Sequence, residues 1–325
     1  MAVLGAVSYA LEVPDIEPGV KFYTDAGLVA AVEGERAMLR CSGQDRPSIE
    51  LIGGAPRKKL HHICLRAEDL EGVRAEVEPN GGWVTRAPDG FRQDGLWVED
   101  PHGMRIHLVE QAADAALAEG PAFTINAPGR IVRTRKSAVL PVSRYGPVKP
   151  LRLGHVLVFT PDPLRSVEFF SKALGMNLSD RAQDVIAFMG AARNTDHHVV
   201  AFAKGPAVGF HHASFQVVDP DEVGRGGRAL VEKAGRHDWG FGRHTIGSNY
   251  FHYIQDPWGS WFEYFSDMDF IDDYALWTPT NYGMEDALAS WGPTVPEDFV
   301  HNYEADPAPY QGASEVPAVG SLTGV

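Results

Sequence analysis

The chain has 325 residues, 44% hydrophobic and 22% charged, with a net charge of −14 at pH 7. Such a composition is globular with room for two ordinary domains, and its negative charge makes nucleic acid and anionic membrane surfaces poor partners. No apolar run reaches the roughly 18 residues of a membrane span, the N-terminus lacks the basic flank of a signal peptide, and Cys41 and Cys64 are the only cysteines, so the expected setting is a reducing cytoplasm without a disulfide framework.

Taken in chain order, "SYALEVPDIEPGVKFYTDAGL" (8–28) reads as an apolar strand, a Pro-Asp break and a helix ending in Phe22-Tyr23. "LHHICLRAEDLEGVRAEVE" (60–78) repeats the strand–helix pattern, and "GLWVEDPHGMRIHLVE" (95–110) reads as two strands about an Asp-Pro-x-Gly β-turn. A Pro-, Gly- and base-rich stretch, 116–150, reads as a linker with one short strand. The first three segments then recur in the same order: "HVLVFTPDPLRSVEFFSKALG" (155–175), "FHHASFQVVDPDEVGRGGRALVE" (210–232) and "FHYIQDPWGSWFEYFS" (251–266). Phe22-Tyr23 matches Phe169-Phe170, His62 matches His212, and Asp100-Pro101 matches Asp256-Pro257. Three matches in one order mean a duplicated domain. Val167, Phe170 and Leu174 form one helical face, and Val223, Leu230 and Val231 another. The segment 271–325 is aromatic, Pro-rich and aperiodic; it is expected to pack on the second domain, its last dozen residues fraying. The expected units are therefore 1–115, 116–150, 151–270 and 271–325.

Duplication supplies an internal control. His155, His212 and Glu263 of the second half correspond to Ser8, His62 and His107 of the first. Two histidines and a carboxylate are the donor set of a facial triad that holds Fe(II) and leaves positions open. The first half lacks the carboxylate, so it is expected to be metal-free. Histidines ahead of apolar strands also occur as satisfied structural groups. Glu263 lies among the aromatics of "SWFEYF" and needs a partner if buried, a metal or an Arg. Strand alternation sends His211 and His212 to opposite faces.

The segments "GHVLVFTPD", "HHVVAF", "FHHASFQV" and "GRHTIGSNYFHYIQDPWGSWFEYF" resemble the type I extradiol ring-cleavage dioxygenases of the vicinal oxygen chelate superfamily, the catechol 2,3-dioxygenase and 2,3-dihydroxybiphenyl 1,2-dioxygenase group, over about residues 1–275. The match is most specific where Gly-Arg-His is followed nine residues on by Tyr and ten further by Glu, here His244, Tyr253 and Glu263. The resemblance implies an α+β, glyoxalase/bleomycin-resistance-like duplicated fold of paired βαβββ modules in two barrel-like domains. It implies Fe(II), or Mn(II) as in a few members, on His155, His212 and Glu263. It also implies that a catechol and O2 meet there and that the bond beside the two hydroxyls is cleaved. His197, chosen over His198 by register, would be the acid/base, and His244 and Tyr253 would hydrogen-bond the substrate. Aligning the strand starts gives His212 the ligand place and turns His211 away into packing or solvent. Trp239, Phe241 and Asn249 are expected along the substrate pocket. Relatives that take acidic catechols carry Arg where this chain has Trp239, so an apolar substituent is expected. The aromatic tail, with Trp277 and Trp291, reads either as a lid over the mouth or as hydrophobic packing with no gating role, and the resemblance implies a homodimer or homotetramer. The rival readings are a hydroquinone-cleaving dioxygenase or isomerase on the same scaffold, and a metal-free aromatic-binding protein.

Overall fold

The computed structural model describes residues 2–112 and 144–310. Four βαβββ modules make up two curved sheets. The first module is β1 (Ala2–Glu12), α1 (Glu17–Asp25), β2 (Val29–Glu33), β3 (Arg36–Arg40) and β4 (Ile49–Ile52). The second is β5 (Lys59–Glu68), α2 (Leu70–Val77), β6 (Trp83–Thr85), β7 (Leu96–Glu99) and β8 (Arg105–Val109). The third is β9 (Arg152–Thr160), α3 (Pro163–Lys172), β10 (Asn177–Ala182), β11 (Ile186–Gly190) and β13 (Val200–Lys204), with a two-residue strand β12 (Thr195–Asp196) before β13. The fourth is β14 (Gly209–Gln216), α4 (Pro220–Ala234), β15 (Asp238–His244), β16 (Tyr250–Gln255) and β17 (Trp261–Ser266). The sheet orders are β2-β3-β4-β1-β5-β8-β7-β6 and, through the corresponding strands, β10-β11-β13-β9-β14-β17-β16-β15. The duplication read from the sequence is thus a duplication of topology.

Local chemistry explains the repeated elements. In the second sheet's domain both helices start at Asp-Pro: the Asp162 carboxylate accepts from the amides of Leu164 and Arg165, that of Asp219 from the amide of Glu222, and Pro occupies the first turn, where its missing N–H costs nothing. Both Asp-Pro-x-Gly turns close identically. Asp100 Oδ1 accepts from the amides of His102 and Met104, Asp256 Oδ1 from those of Trp258 and Ser260. Gly103 and Gly259 take the left-handed φ of +83° and +88° that the turns require.

The two sheets share one core. Tyr9 stacks on Phe210 at 4.6 Å, Phe22 meets Phe262 edge-on at 6.1 Å, and the Tyr264 hydroxyl donates to the Ala26 carbonyl at 2.8 Å. Cys41 and Cys64 are both buried, Cys41 beside the Ser48 hydroxyl and Cys64 beside His107. Of the expected linker, only 144–150 falls within the described residues; there Val148 joins the shared core.

The tail adds strands rather than a loose cover. β18 (Phe270–Ile271) pairs with β12, β19 (Thr280–Tyr282) extends the second sheet beside β10, and β20 (Ala289–Trp291) extends it beside β15. A final turn, Tyr303–Ala305, reaches the first domain, where Glu304 pairs with Lys58 at 2.7 Å with both side chains buried. The residues beyond 310, where fraying was expected, lie outside the described ones. Among the described residues no helix is long and apolar enough to cross a membrane.

Candidate active site

Register lines up one row of side chains across the second sheet. His155 on β9 faces Ser214 on β14, Ser214 faces Glu263 on β17, Glu263 faces Tyr253 on β16, and Tyr253 faces Trp239 on β15. Partners in register share a face of the sheet, and His212 joins that face two residues before Ser214. The result is a convergent donor set: His155 Nε2 lies 3.3 Å from Glu263 Oε2 and 3.3 Å from His212 Nε2, and His212 Nε2 is 3.7 Å from Glu263 Oε2. All three side chains are buried, and one donor atom from each lies within 4.8 Å of the others.

The donor set fits a divalent metal. Asn249 donates to Glu263 Oε1 at 3.1 Å, but the buried Oε2 accepts no hydrogen bond; a buried carboxylate oxygen in that state needs a cation. Burial pushes the Glu263 carboxyl upward, yet the His155 and His244 imidazoles beside it outweigh burial and hold the group below its usual value. Burial drives His212 well below the ordinary imidazole value, leaving the neutral form that binds metals.

The set opens into a cavity through His155 and His212. Its polar wall is His198, His211, His244, Asn249 and Tyr253, and the rest is apolar, including Leu157, Ile186, Phe188, Ile246 and Leu288. Strand order puts His198 and the His244–Tyr253 pair on opposite flanks, because β13 lies on one side of β9 while β16 and β15 lie on the other. His244 Nδ1–H donates to the Leu288 carbonyl, a group that can only accept, and Nε2 stands 2.9 Å from the Tyr253 hydroxyl. Burial, then the Glu263 charge, raises the Tyr253 hydroxyl well above its usual value and keeps it protonated.

Four expectations need correction. His197 does not reach the cavity: fully buried, it donates from Nε2 to Asp180 at 2.8 Å and packs edge-on against Trp277. His198 takes the cavity place, its ring centroid 4.2 Å from that of His155. These residues precede β13, so no strand register ties them to a face. His211 does not point away. A β-bulge between Phe210 and His212 makes it the extra residue, and both rings reach the cavity side with their Nδ1 atoms 2.8 Å apart. Trp239 is core, stacked behind Tyr253 at 5.4 Å with its N–H on the Pro293 carbonyl. Phe241 stacks on Tyr250 outside the cavity, past a second bulge between Gly240 and Gly242. Asn249 lines the cavity as expected. In the tail, Ala287, Leu288, Phe299 and Val300 wall the cavity, whereas Trp291 is exposed.

Sequence reasoning missed Ser214, although counting two residues on from His212 finds it. It also missed Phe299 and Val300, which no periodicity marks.

Residues 152–264 match the Glyoxalase/Bleomycin resistance protein/Dioxygenase superfamily. Over 304 residues, 91% of either chain, the sequence is 37% identical to metapyrocatechase 2 of Cupriavidus necator. The chain belongs to the extradiol ring-cleaving dioxygenases. The fold agrees. This dioxygenase superimposes on the Mn(II)-bound glyoxalase from Novosphingobium aromaticivorans with a TM-score of 0.74, at 22% identity over 96% of its own chain and 99% of the other. On an extradiol ring-cleaving dioxygenase from B. fuscum the TM-score is 0.71, at 21% identity over 91% and 81%.

Proposed function

We propose that this extradiol dioxygenase uses Fe(II), held by His155, His212 and Glu263, to open a catechol bearing an apolar substituent, placing both atoms of O2 in a ring-opened product. Mn(II) suits the same nitrogen and oxygen donors. The observation that carries the reading is the buried His-His-Glu set, its Oε2 without a hydrogen-bond donor, whose two histidines line a cavity with a largely apolar wall. A bound metal supplies a template for the diol and a path for electrons from ring to oxygen. The remaining work belongs to side chains. The Tyr253–His244 pair hydrogen-bonds one diol oxygen, and His244 Nε2 accepts its proton. His198, held neutral by burial and by the neighbouring imidazoles, accepts a proton on the opposite flank and returns it to the oxygen-derived group. The apolar wall, closed by Phe299 and Val300, excludes water.

The case for an apolar substituent rests on the wall itself, since no Lys or Arg is among the described residues that line the cavity. A substrate carboxylate would be buried there without a partner. The test is steady-state turnover of Fe(II)-reconstituted enzyme on 3-methylcatechol, 3-phenylcatechol and 2,3-dihydroxybenzoate. The neutral catechols should give a yellow ring-fission product, with kcat/KM higher on the order of 100-fold, equivalent to about 2.7 kcal/mol. Equal turnover of the carboxylate would remove the substrate assignment, and no oxygen uptake with any catechol would remove the reaction.

A further inference from the structure

The first domain holds a cavity of its own, larger than the one at the His155 site. It occupies the duplicated position. Ser8, Cys64, His107 and Trp97 face one another in register across β1, β5, β8 and β7, as His155, Ser214, Glu263 and Tyr253 do in the second sheet. The metal chemistry has no counterpart there. His107 lies flat on Trp97 at 4.2 Å and 8°, and its Nε2–H donates to the Asp94 carbonyl at 2.8 Å. Among the described residues, no second cluster of metal donors accompanies it.

What remains is an aromatic chamber with a cationic rim. Phe91 forms one wall, with His61 stacked on it at 4.3 Å, and Trp97 forms another. The Arg36 guanidinium sits 4.5 Å from the Phe91 ring centroid. Arg46 and Arg92 also line the cavity, while Glu50, bonded by Arg36 at 2.9 Å, is the one carboxylate among the lining residues described. Arg92 pairs with Asp94 at 2.5 Å, but both side chains are well exposed, so the pair holds Arg92 weakly. The lining thus brings three guanidinium groups together, Arg36 held by Glu50 and Arg92 by Asp94 at the exposed rim. Burial, then Arg105 and Arg36, lower the neighbouring His61 to about 4. Guanidinium groups pair with carboxylates through planar, charge-assisted hydrogen bonds, and flat aromatic walls favour a flat ring.

We propose that this cavity is a second, metal-free binding site for a small planar aromatic carboxylate, its ring meeting the edges of Phe91 and Trp97 and its carboxylate on Arg36 and its neighbours. The site is separate from the catalytic one and independent of which metal or catechol that one takes.

Calorimetric titration of the intact, metal-loaded protein with benzoate tests this. One benzoate should bind per chain. Arg36→Gln should weaken binding at least tenfold, and Met38→Trp, which fills the cavity from β3, should abolish it. Both variants should turn over catechol at the wild-type rate, which shows that they are folded. His212→Ala should bind benzoate as the wild type does. Cyclohexanecarboxylate should bind at least tenfold more weakly than benzoate. The proposal is overturned by absence of binding at millimolar benzoate, by binding that survives Met38→Trp, or by binding lost in His212→Ala and kept in Arg36→Gln.

Discussion

Replacing Glu304 with Ala should cost the protein about 3–5 kcal/mol, the toll for leaving one member of a buried ion pair alone. Glu304 Oε1 receives Lys58 Nζ at 2.7 Å and the Phe210 amide at 3.0 Å, and Oε2 receives the Leu60 amide at 2.9 Å. The Lys58 and Glu304 side chains are only 5% and 7% exposed. The clasp therefore joins the tail to the starts of β5 and β14 at once, two residues before His212. Without the carboxylate, Lys58 keeps the Phe210 carbonyl, at 3.1 Å, and the Ser260 hydroxyl, but no anion. Urea denaturation followed by tryptophan fluorescence measures the loss. Because two apolar side chains of similar volume often replace such a pair at little cost, Lys58→Met with Glu304→Leu should be more stable than Glu304→Leu alone. The same clasp anchors the segment that carries Phe299 and Val300, so Glu304→Ala should raise KM for a 3-substituted catechol more than it lowers kcat. A loss below about 1 kcal/mol, or a double variant whose loss is the sum of the two single losses, would refute the argument.

His198→Asn should lower kcat by about 10²–10⁴-fold, the usual worth of a positioned acid/base, with little change in metal content; His197→Asn should chiefly reduce stability through loss of the Asp180 bond, and urea midpoints with steady-state rates separate the two. Tyr253→Phe should keep the metal and slow turnover of bound catechol, read in single-turnover mixing with oxygen. Acidification should destabilise the protein through His62, which burial, then His61 and His107, lower to about 2 in the fold. Between pH 6.5 and that value only the unfolded chain takes up the proton, so stability is complete above pH 6.5 and falls below it, by up to about 1.4 kcal/mol per pH unit. His62→Asn should flatten that slope in urea midpoints taken from pH 7 to pH 5.

The duplication and the grouping of His155, His212 and Glu263 were legible in the sequence because both follow from residue type at fixed places in a repeat. Comparing Ser8, His62 and His107 with His155, His212 and Glu263 needed no knowledge of side-chain direction. The errors came wherever alternation along a strand was assumed to continue. The bulge at His211 brings both histidines of the pair to the cavity, and His197 and His198 stand outside any strand. The bulge at Gly240–Gly242 likewise takes Phe241 from the pocket, whereas Trp239, in register with Tyr253, is screened from it by that ring. Bulges are set by three-dimensional pairing, and "FHHAS" carries no mark of one. The cavity wall made by Phe299 and Val300 was unreadable for a different reason: its place depends on Glu304 meeting Lys58, 246 positions away in the chain.

The structure of the protein loaded anaerobically with Fe(II) tests the central claim most directly. The account predicts one metal ion within about 2.0–2.3 Å of His155 Nε2, His212 Nε2 and a Glu263 oxygen, with the remaining positions open toward the apolar cavity. An ion bound by His211 in place of His212, or a Glu263→Ala variant that still held one ion per chain tightly, would contradict it.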